Sequence, residues 1–583
     1  MVSFDKPYVL LDDARASGAS PARLYADPVE CLTARSLEEV GPLLEAVRLA
    51  KARGLHAAGF LAYDAGSALL PHLDRPSNSL LAWFGLFDSY QQLETDVMPS
   101  ILPDPAGAWL SALCLEITRA DYAKAFAAAK EYIAAGDIYQ ANLTFPLSAS
   151  YAGDPLALYA ALRLRAAAGY GGVIWTGDEH YLSFSPELFF ALKGDRVTTK
   201  PMKGTAARRA DPSADAAEIE MLRADPKQRA ENLMIVDLLR NDLSRVCAAG
   251  SVSVPELFTV ETYPTVHQMT STVTGLLPEG GDAIDVIKAL YPCGSITGAP
   301  KIRAMQIIGE IESKPRGIYC GSIGRIDTNG DAAFNVAIRT FTLCDEAKTV
   351  SLGLGSGIVA DSDETAEWAE CLAKGDFAKV EGYGFDLIET MRFEPASGIA
   401  RLELHLERMK ESAHAFGFEF DRHSVRNQLH AATFHLDRLS KIRLLHSKSG
   451  AVAIEIRPLI DATEAWSVSI VPLPVESTDF RLLHKTSSRA FYDDARNEAD
   501  SDEVVFVDQH GCLTEGSITS IFVERDGRLL TPPLARGMLP SVLRRELIET
   551  GQAIEADLTP ADLNRNFFIG NSVRGLIPAK AVA

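Results

Sequence analysis

The sequence predicts a multidomain chain of mixed α/β structure, on three observations. The chain has 583 residues, several times the roughly 150 typical of one domain. Strand-like and helix-like patterns alternate from Ile117 to about residue 375. Beyond Lys374–Tyr383, a stretch with two glycines and mixed charge, the polar residues change in kind, which sets a domain boundary near residue 380.

Composition narrows the class. Apolar residues are 47% and charged residues 23%, ordinary for a globular chain and unlike collagen, extended disorder or a small disulfide scaffold. The net charge of −21 argues against a nucleic-acid partner, which needs a basic stripe to neutralise phosphates. Screening is short-ranged, so a local Lys/Arg pocket can still hold a dianion. The eight cysteines lie at least 24 residues apart, which excludes a local CxxC zinc or redox site and reads as reduced, mostly buried thiols. Met1–Asp13 has no targeting pattern. No apolar run approaches the roughly 18 residues needed to span a bilayer. The expectation is a cytosolic protein with no membrane partner.

In chain order, Tyr8–Leu11 reads as a strand, Leu37–Lys51 as a helix and Pro103–Gly107 as a loop at a subdomain seam. Apolar spacing predicts a helix over Ile117–Ala135, and Glu279-Gly280-Gly281 a turn before an Ala283–Leu290 helix.

Five segments gather polar residues in apolar surroundings. The first is Gly136–Asn142. In Ser183–Phe190, Pro186 interrupts a strand and Glu187 stands alone among aromatics. Burial would raise its pKa and suit a general acid; the alternative is a half-exposed strand end. In Lys200–Arg208, Gly204 permits a tight turn, and Lys203 reads as an anion partner, a nucleophile or a solvated loop lysine. With a pKa near 10.4, fewer than about one lysine in a thousand is neutral at pH 7, so a nucleophile needs burial or a neighbouring cation. The helix over Glu231–Leu243 puts Leu233, Val236, Leu239 and Leu243 on a core stripe, with Glu231 off it. Gly353–Gly357 reads as a turn whose N–H groups hold a carboxylate, leading to a helix capped by Asp361 with Glu364 three residues on. Glu367, Glu370 and Lys374 then share a face. Glu231 and Glu370, from separate helices, suit Mg²⁺, which takes oxygen ligands and keeps waters.

With Gly294–Lys301 (GSITGAPK), Arg316–Gly321 (RGIYCG) and Ile338-Arg339-Thr340, these segments resemble the chorismate-utilising enzymes over about residues 115–376. The resemblance implies a four-layer α/β sandwich with an Mg²⁺-dependent site between two sheets. It makes Glu231 and Glu370 the metal ligands and Glu367 an outer acid. Tyr319, Arg339, Lys374 and the amides of Gly355, Ser356 and Gly357 match the groups that hold the chorismate carboxylates, and His267 matches an active-site histidine. Gln228 stands where anthranilate synthases commonly have Glu. Within the family, Pro201–Thr205 (PMKGT) has the lysine of aminodeoxychorismate synthases where anthranilate synthases have a small residue. Isochorismate and salicylate synthases carry a lysine near Gln140, which is Gln here. This resemblance implies that Lys203 adds to C2 of chorismate, Glu187 protonates the departing C4 hydroxyl, and ammonia then adds at C4. No cysteine lies in the Gly-rich elbow of a glutaminase, so ammonia comes from a separate glutamine amidotransferase subunit or from free ammonium.

Beyond the boundary, Leu387–Arg392 (LIETMR) is followed by a Leu402–Phe416 helix with His405 and Arg408 on one face. Then come His484–Arg489, Tyr492, Leu513–Phe522, Gly537–Arg544 and Gly570–Gly575. This order resembles the fold-type IV pyridoxal-phosphate enzymes over about 383–580, the family of branched-chain and D-amino-acid aminotransferases and aminodeoxychorismate lyase. It implies a two-subdomain fold and a homodimer through that domain. Lys485 falls at the Schiff-base lysine, Glu515 at the partner of the pyridinium nitrogen and Arg408 at the phosphate arginine. Val542 and Leu543 would offer helix N-terminal N–H groups to the phosphate, and Ser572 a hydroxyl. Ser520, Ser541 and Leu543 stand where Asn, Gly and Thr are usual.

The two resemblances explain each other. Residues 1–379 would aminate chorismate to 4-amino-4-deoxychorismate, and residues 380–583 would eliminate pyruvate to give 4-aminobenzoate, a folate precursor. Two rivals remain open: an anthranilate synthase component I fused to an aminotransferase, against which Lys203 counts, and a synthase with a non-catalytic C-terminal module, against which Lys485 and Glu515 count.

Overall fold

The computed structural model describes residues 6–70, 80–209, 211–262, 266–378, 385–459 and 465–582; the expected boundary near residue 380 lies outside them. The chain gathers into two compact units. One comprises Met1–Leu102, Ala112–Ala149 and Tyr159–Val380, the other Pro103–Ser111, Ser150–Leu158 and Glu381–Ala583. Besides the residues that follow 380, two short earlier segments join the second unit. The reason is visible within that unit. Trp109 packs edge-on against Phe416 with ring centroids 5.1 Å apart. Arg481, held by Asp479, also donates to Asp104 Oδ2 at 2.8 Å. Ala108–Leu110 pairs with Tyr151–Gly153.

The elements that position the first unit's site are β1 (Gln140–Gly153), β2 (Glu179–Ser185), β3 (Leu188–Lys193), β4 (Met202–Ala207), α1 (Pro226–Ser244), β5 (Val266–Leu276), β6 (Ala332–Asn335), β7 (Thr340–Cys344), β8 (Thr349–Ile358) and α2 (Glu364–Lys374). One sheet runs β1, β8, β7, β2 and on through Tyr170–Trp175 and Tyr8–Asp12. The other runs β4, β5, Arg196–Lys200, β3, β6 and on through Ser322–Ile326, His56–Leu61 and Ala82–Phe87. Alternation along a strand sends successive side chains to opposite faces, and His56–Leu61 shows where they go. Ala58 and Phe60 join Val9, Tyr25, Ile174 and Tyr181 between the sheets. Ala57 and Leu61 join Val40, Leu44 and Ile287 of covering helices. On the outer side of the first sheet Trp368 of α2 stacks on Phe145 and meets Tyr122. The result is helix, sheet, sheet, helix, the expected four layers.

Two of the places where the chain passes between the sheets lie side by side, from β2 to β3 through Pro186-Glu187 and from β6 to β7 through residues 336–339. The crossings are stitched together. Ser185 Oγ donates to the Val336 carbonyl at 2.6 Å, and the Val336 N–H donates to the Glu187 carbonyl at 3.0 Å.

Three local readings differ from expectation. On α1, Leu233 is 44% exposed, while Asn232, Ile235, Val236, Leu239 and Leu243 are buried, so the core stripe enters one residue round from the expected line. The cap of α2 is Asp363, which accepts from the Ala366 N–H at 3.0 Å, while Asp361 faces Lys227 at 3.4 Å. Gly353–Gly357 lies inside strand β8 rather than in a turn.

The second unit has two parts. The first is a small antiparallel sheet of β9 (Leu387–Glu394), β10 (Ser440–His446) and β11 (Val452–Pro458), covered by α3 (Leu402–Phe416) through Met391, Leu406, Met409, Ile442 and Leu444. The second is a mixed sheet that includes Leu513–Gly516, Glu503–Val507 and Phe567–Asn571, packed by α4 (Val542–Glu549) through Leu543 and Leu547. Among the described residues no helix is long and apolar enough to cross a membrane.

Candidate active sites

In the first unit, β4 pairs with β5 at Met202 opposite Thr270 and again at Thr205 opposite Gln268, with the register broken between. Lys203 and Gly204 occupy that bulge, the kind of irregularity that re-aims a side chain. Gly204 has φ +93, and a Cβ there would stand 3.0 Å from Gln228 Oε1. Gln228 thus packs against the bulge. The Lys203 amine is directed at β8: a Cβ on Gly357 would lie 3.5 Å from its Nζ and 2.6 Å from Gln140 Nε2. Glu187, on the crossing between the sheets, is 4% exposed, and its Oε1 has no hydrogen-bond partner. Glu231 arrives on α1, and Glu370 and Lys374 on α2. The Lys374 amine bonds Glu370 at 2.7 Å and donates to the Gly355 carbonyl at 3.0 Å.

These groups shift one another. Burial pushes the Glu187 carboxyl up to about 7, against the pull of Ser295, Lys203 and Lys374. Burial pushes the Lys203 amine down, and the Lys374 cation pushes it further. Glu231 is raised by burial and by the charges of Glu367 and Glu370. For Glu370, burial acts upward, but Lys374, Lys203 and Lys227 outweigh it and hold the carboxyl low. A carboxyl raised and an amine lowered from their ordinary values therefore share one site.

The remaining expected residues are placed as follows. Glu367 accepts from Ser362 Oγ at 2.7 Å. The Tyr319 ring lies close against Gly353, where a Cβ would come within 2.1 Å of it. Arg339 sits on the second crossing with φ +50, its guanidinium over the Phe377 ring. Ser356 is fully buried, its hydroxyl without a partner. The ladder between β8 and β7 ends at Leu352, so Gly353–Ile358 runs past that partner. His267 is not among the groups that converge on Lys203. Its Nδ1 meets Thr262 Oγ1 at 3.0 Å and its Nε2 meets Asp215 at 2.9 Å, so both nitrogens are engaged away from the amine.

A metal site can be tested on the donors. Among the described residues, no three His, Cys, Asp or Glu side chains are already drawn together as a coordination shell. The charges of Glu367 and Glu370 nevertheless reach Glu231 and make its ionisation more costly, and Mg²⁺ needs only one or two carboxylates beside water and substrate oxygens. The donor set fits that ion.

The second unit holds a cavity of about 310 Å³. The Lys485 amine donates to Thr390 Oγ1 at 3.2 Å. Burial, assisted by Arg408, pushes it down to about 7. Burial pushes Glu515 up to about 7, while its Oε1 accepts from Tyr492 Oη at 2.5 Å and from the Leu539 N–H at 3.1 Å. Arg408 is held by Glu389, a residue that sequence reasoning left without a role. Arg408 Nε and Nη2 donate to its two oxygens at 2.9 and 2.6 Å, His405 Nδ1 meets it at 2.5 Å, and His405 Nε2 reaches Ser572 Oγ at 2.7 Å. Arg408, with His405 beside it, holds the Glu389 carboxyl far below its usual range despite burial. A signal for Glu389 existed. Leu387, Glu389, Met391 and Phe393 fall on one face of β9, so the acid had to be buried and paired. Arg408 Nη1 donates to the Pro540 carbonyl just ahead of α4, whose N-cap Ser541 makes no side-chain cap bond. Arg408, Ser572 and the first N–H groups of α4 at Val542 and Leu543 fit a phosphate, and Lys485 and Glu515 fit the two ends of a pyridoxal ring.

Residues 6–379 match the chorismate binding enzymes, and residues 386–582 match the class IV amino-transferases. Aminodeoxychorismate synthase component 1 of Salmonella typhimurium is 41% identical over 297 residues, which are 51% of this chain and 64% of that protein. Anthranilate synthase component 1 of Streptomyces coelicolor is 41% identical over 277 residues, 47% of this chain and 54% of that one. The chain thus spans less than two thirds of the length of these relatives. The crystal structure of anthranilate synthase component I from Streptococcus pneumoniae superposes with a TM-score of 0.52 at 24% identity, over 65% of this chain and 94% of that one, a likeness of fold.

Proposed function

Since the chain belongs to the chorismate binding enzymes over residues 6–379 and carries a class IV amino-transferase domain over residues 386–582, we propose that it converts chorismate and ammonia to 4-amino-4-deoxychorismate and then to 4-aminobenzoate and pyruvate. The observation that carries the first step is the pairing of Glu187, at about 7, with the depressed amine of Lys203. An amine that adds to carbon must be unprotonated, and an acid that assists a leaving hydroxyl must hold its proton near neutral pH.

In this reading Lys203 Nζ forms a bond to C2 of chorismate, the ring double bonds shift, and the C4–O bond breaks as Glu187 delivers its proton and water leaves. Ammonia then bonds to C4, the shift reverses, and the C2–N bond to Lys203 breaks. The proton released at nitrogen returns to Glu187. Glu231 and Glu370, with Glu367 through water, would hold Mg²⁺ against the negative charge of the substrate. Tyr319, Arg339, Lys374 and the Gly355–Gly357 amides would orient the carboxylates. Anthranilate synthases are also among the relatives; Lys203 favours amination at C4.

In the second unit pyridoxal phosphate supplies an electron sink when bound. Lys485 is placed to exchange with the substrate amine and to carry a proton, Glu515 to hold a proton at the ring nitrogen, and Arg408, Ser572 and α4 to hold the phosphate. Loss of pyruvate leaves an aromatic ring, which drives the step.

Ammonia would come from a separate glutaminase in the cytosol. Burial pushes the Cys293 thiol up to about 12 and those of Cys320 and Cys371 up to about 11, which makes them poor nucleophiles. The deciding experiment supplies pure, cofactor-loaded protein with chorismate, Mg²⁺ and ammonium and identifies the aromatic product. Expected are 4-aminobenzoate and pyruvate in equal amounts; 2-aminobenzoate would reverse the assignment.

A further inference from the structure

The cavity of the second unit carries more positive charge than the cofactor residues use. Eight cationic side chains line it, against Asp493 and Glu515, in a chain of net charge −21. Five of the eight are committed. Arg408 is locked by Glu389, Arg481 by Asp479, and Arg496 pairs with Asp493 at 3.3 Å. Arg489 donates to the Ser517 carbonyl at 2.5 Å, and Lys485 to Thr390.

Lys441, Arg443 and Arg574 are left, and none has a carboxylate partner among the described residues, although the Arg574 guanidinium lies over the Trp466 ring, 5.4 Å from its centroid. Lys441 and Arg443 alternate with the buried Ile442 and Leu444 on β10, so both stand on the face of the small sheet turned from its core. The strand registers set Arg392 and Arg457 beside Lys441, and Thr390 and Glu455 beside Arg443. The carboxylate there is taken: Arg457 Nε bonds Glu455 at 2.6 Å. Arg392 likewise bonds Glu394 at 2.7 Å. Arg574 Nε is buried without a hydrogen bond. The cations crowd one another, since burial and then Arg574, Arg443 and Arg457 push the Lys441 amine down. Such a cluster costs stability unless an anion completes it.

We propose that Lys441, Arg443 and Arg574 receive the carboxylates of a dianionic substrate, away from the amine that meets Lys485, and so select a cyclic amino dicarboxylate over an ordinary amino acid. This rests on the lyase reading above, deepens it from reaction to specificity, and assigns these side chains a role separate from the phosphate grip of Arg408.

The test uses the full, cofactor-loaded chain and two ligands without an amine, 3-(carboxymethoxy)benzoate and benzoate, each titrated against the cofactor absorbance. Wild type is expected to bind the dicarboxylate at least tenfold more tightly. Lys441→Met, Arg443→Met and Arg574→Met should each weaken it about 10- to 100-fold, the range for a lost hydrogen bond to a charged group. Benzoate binding should change far less, and Arg443→Lys should restore part of the loss. With supplied aminodeoxychorismate the loss should appear in KM more than in kcat. Dicarboxylate affinity within twofold of wild type in all three variants, with cofactor retained, overturns the proposal. So does equal weakening of both ligands, which would mark a structural role. Failure of the lyase reading shows separately, as no pyruvate from wild type given aminodeoxychorismate.

Discussion

Glu187 makes the sharpest claim at the scale of one residue. Glu187→Gln is expected to slow amination by about 10²- to 10⁴-fold, the usual range for a lost general acid, and Lys203→Ala to abolish it; initial rates with saturating ammonium measure both. The pH dependence follows from the raised pKa. At fixed free ammonia, loss of the Glu187 proton through about 7 sets a falling limb of the pH profile, opposed by the rising limb of Lys203 deprotonation, and Glu187→Gln should remove the falling limb alone. Stability moves the same way. Between the ordinary value of 4.5 and about 7 the folded chain holds a proton that the unfolded chain releases, so the fold loses stability across that window as pH rises. The Gln variant lacks this loss, so its melting temperature relative to wild type should be higher at pH 8 than at pH 4.5. Local pattern left Glu187 and Lys203 open between a buried pair and a strand end and loop lysine, and only the order of the surrounding motifs singled them out; Glu187 proves buried, and burial lowers the Lys203 amine. Glu389 was passed over because its partners, His405 and Arg408, lie 16 and 19 residues away. The roles of His267 and Asp215 depend on a contact across 52 residues that no local pattern announces.

Among the elements, the bulge in β4 decides where the Lys203 amine points. Gly204→Ala would place a Cβ at φ +93 and against Gln228, a strain of about 1–2 kcal/mol. The expected outcome is at least a tenfold loss of amination with the second unit's turnover retained, read by assaying each step separately. The elements were largely legible from periodicity, and the departures have simple physical sources. Asp361 and Asp363 are equally good caps by type, and the chain path selects the second. The glycines of β8 look like a turn because turns are the commonest use of glycine. Here they are required by close approach, of the Tyr319 ring at Gly353 and of Gln140 at Gly357. Leu233 shows the same limit on α1, where a one-residue shift in helix entry turns an expected core leucine outward.

For the molecule as a whole, the residues proposed for the two reactions fall in separate units, which predicts separable chemistry. Lys203→Ala should still convert supplied aminodeoxychorismate to 4-aminobenzoate and pyruvate. Lys485→Ala should consume chorismate and ammonium, accumulate aminodeoxychorismate and lose the cofactor absorbance. Product analysis on folded variants decides both. Ammonium, and not glutamine, should support turnover by the pure chain. The order of motifs made two families visible in the sequence. It could not show that residues 103–111 and 150–158 belong with the second unit, because those segments carry packing and no chemistry.

A gene cut at codon 380 would separate the second unit from two of its own pieces. The C-terminal fragment would lack Trp109, whose ring covers Phe416, and Asp104, which meets Arg481. It would present a bare aromatic surface to solvent and to other copies of itself, a route to aggregation. Expressed alone it should be poorly soluble, and adding the N-terminal fragment in trans should rescue it. A fission of this chain into two genes would therefore need more than a stop and a start codon between its chemistries: the C-terminal product would first have to acquire its own substitute for a strand and an indole.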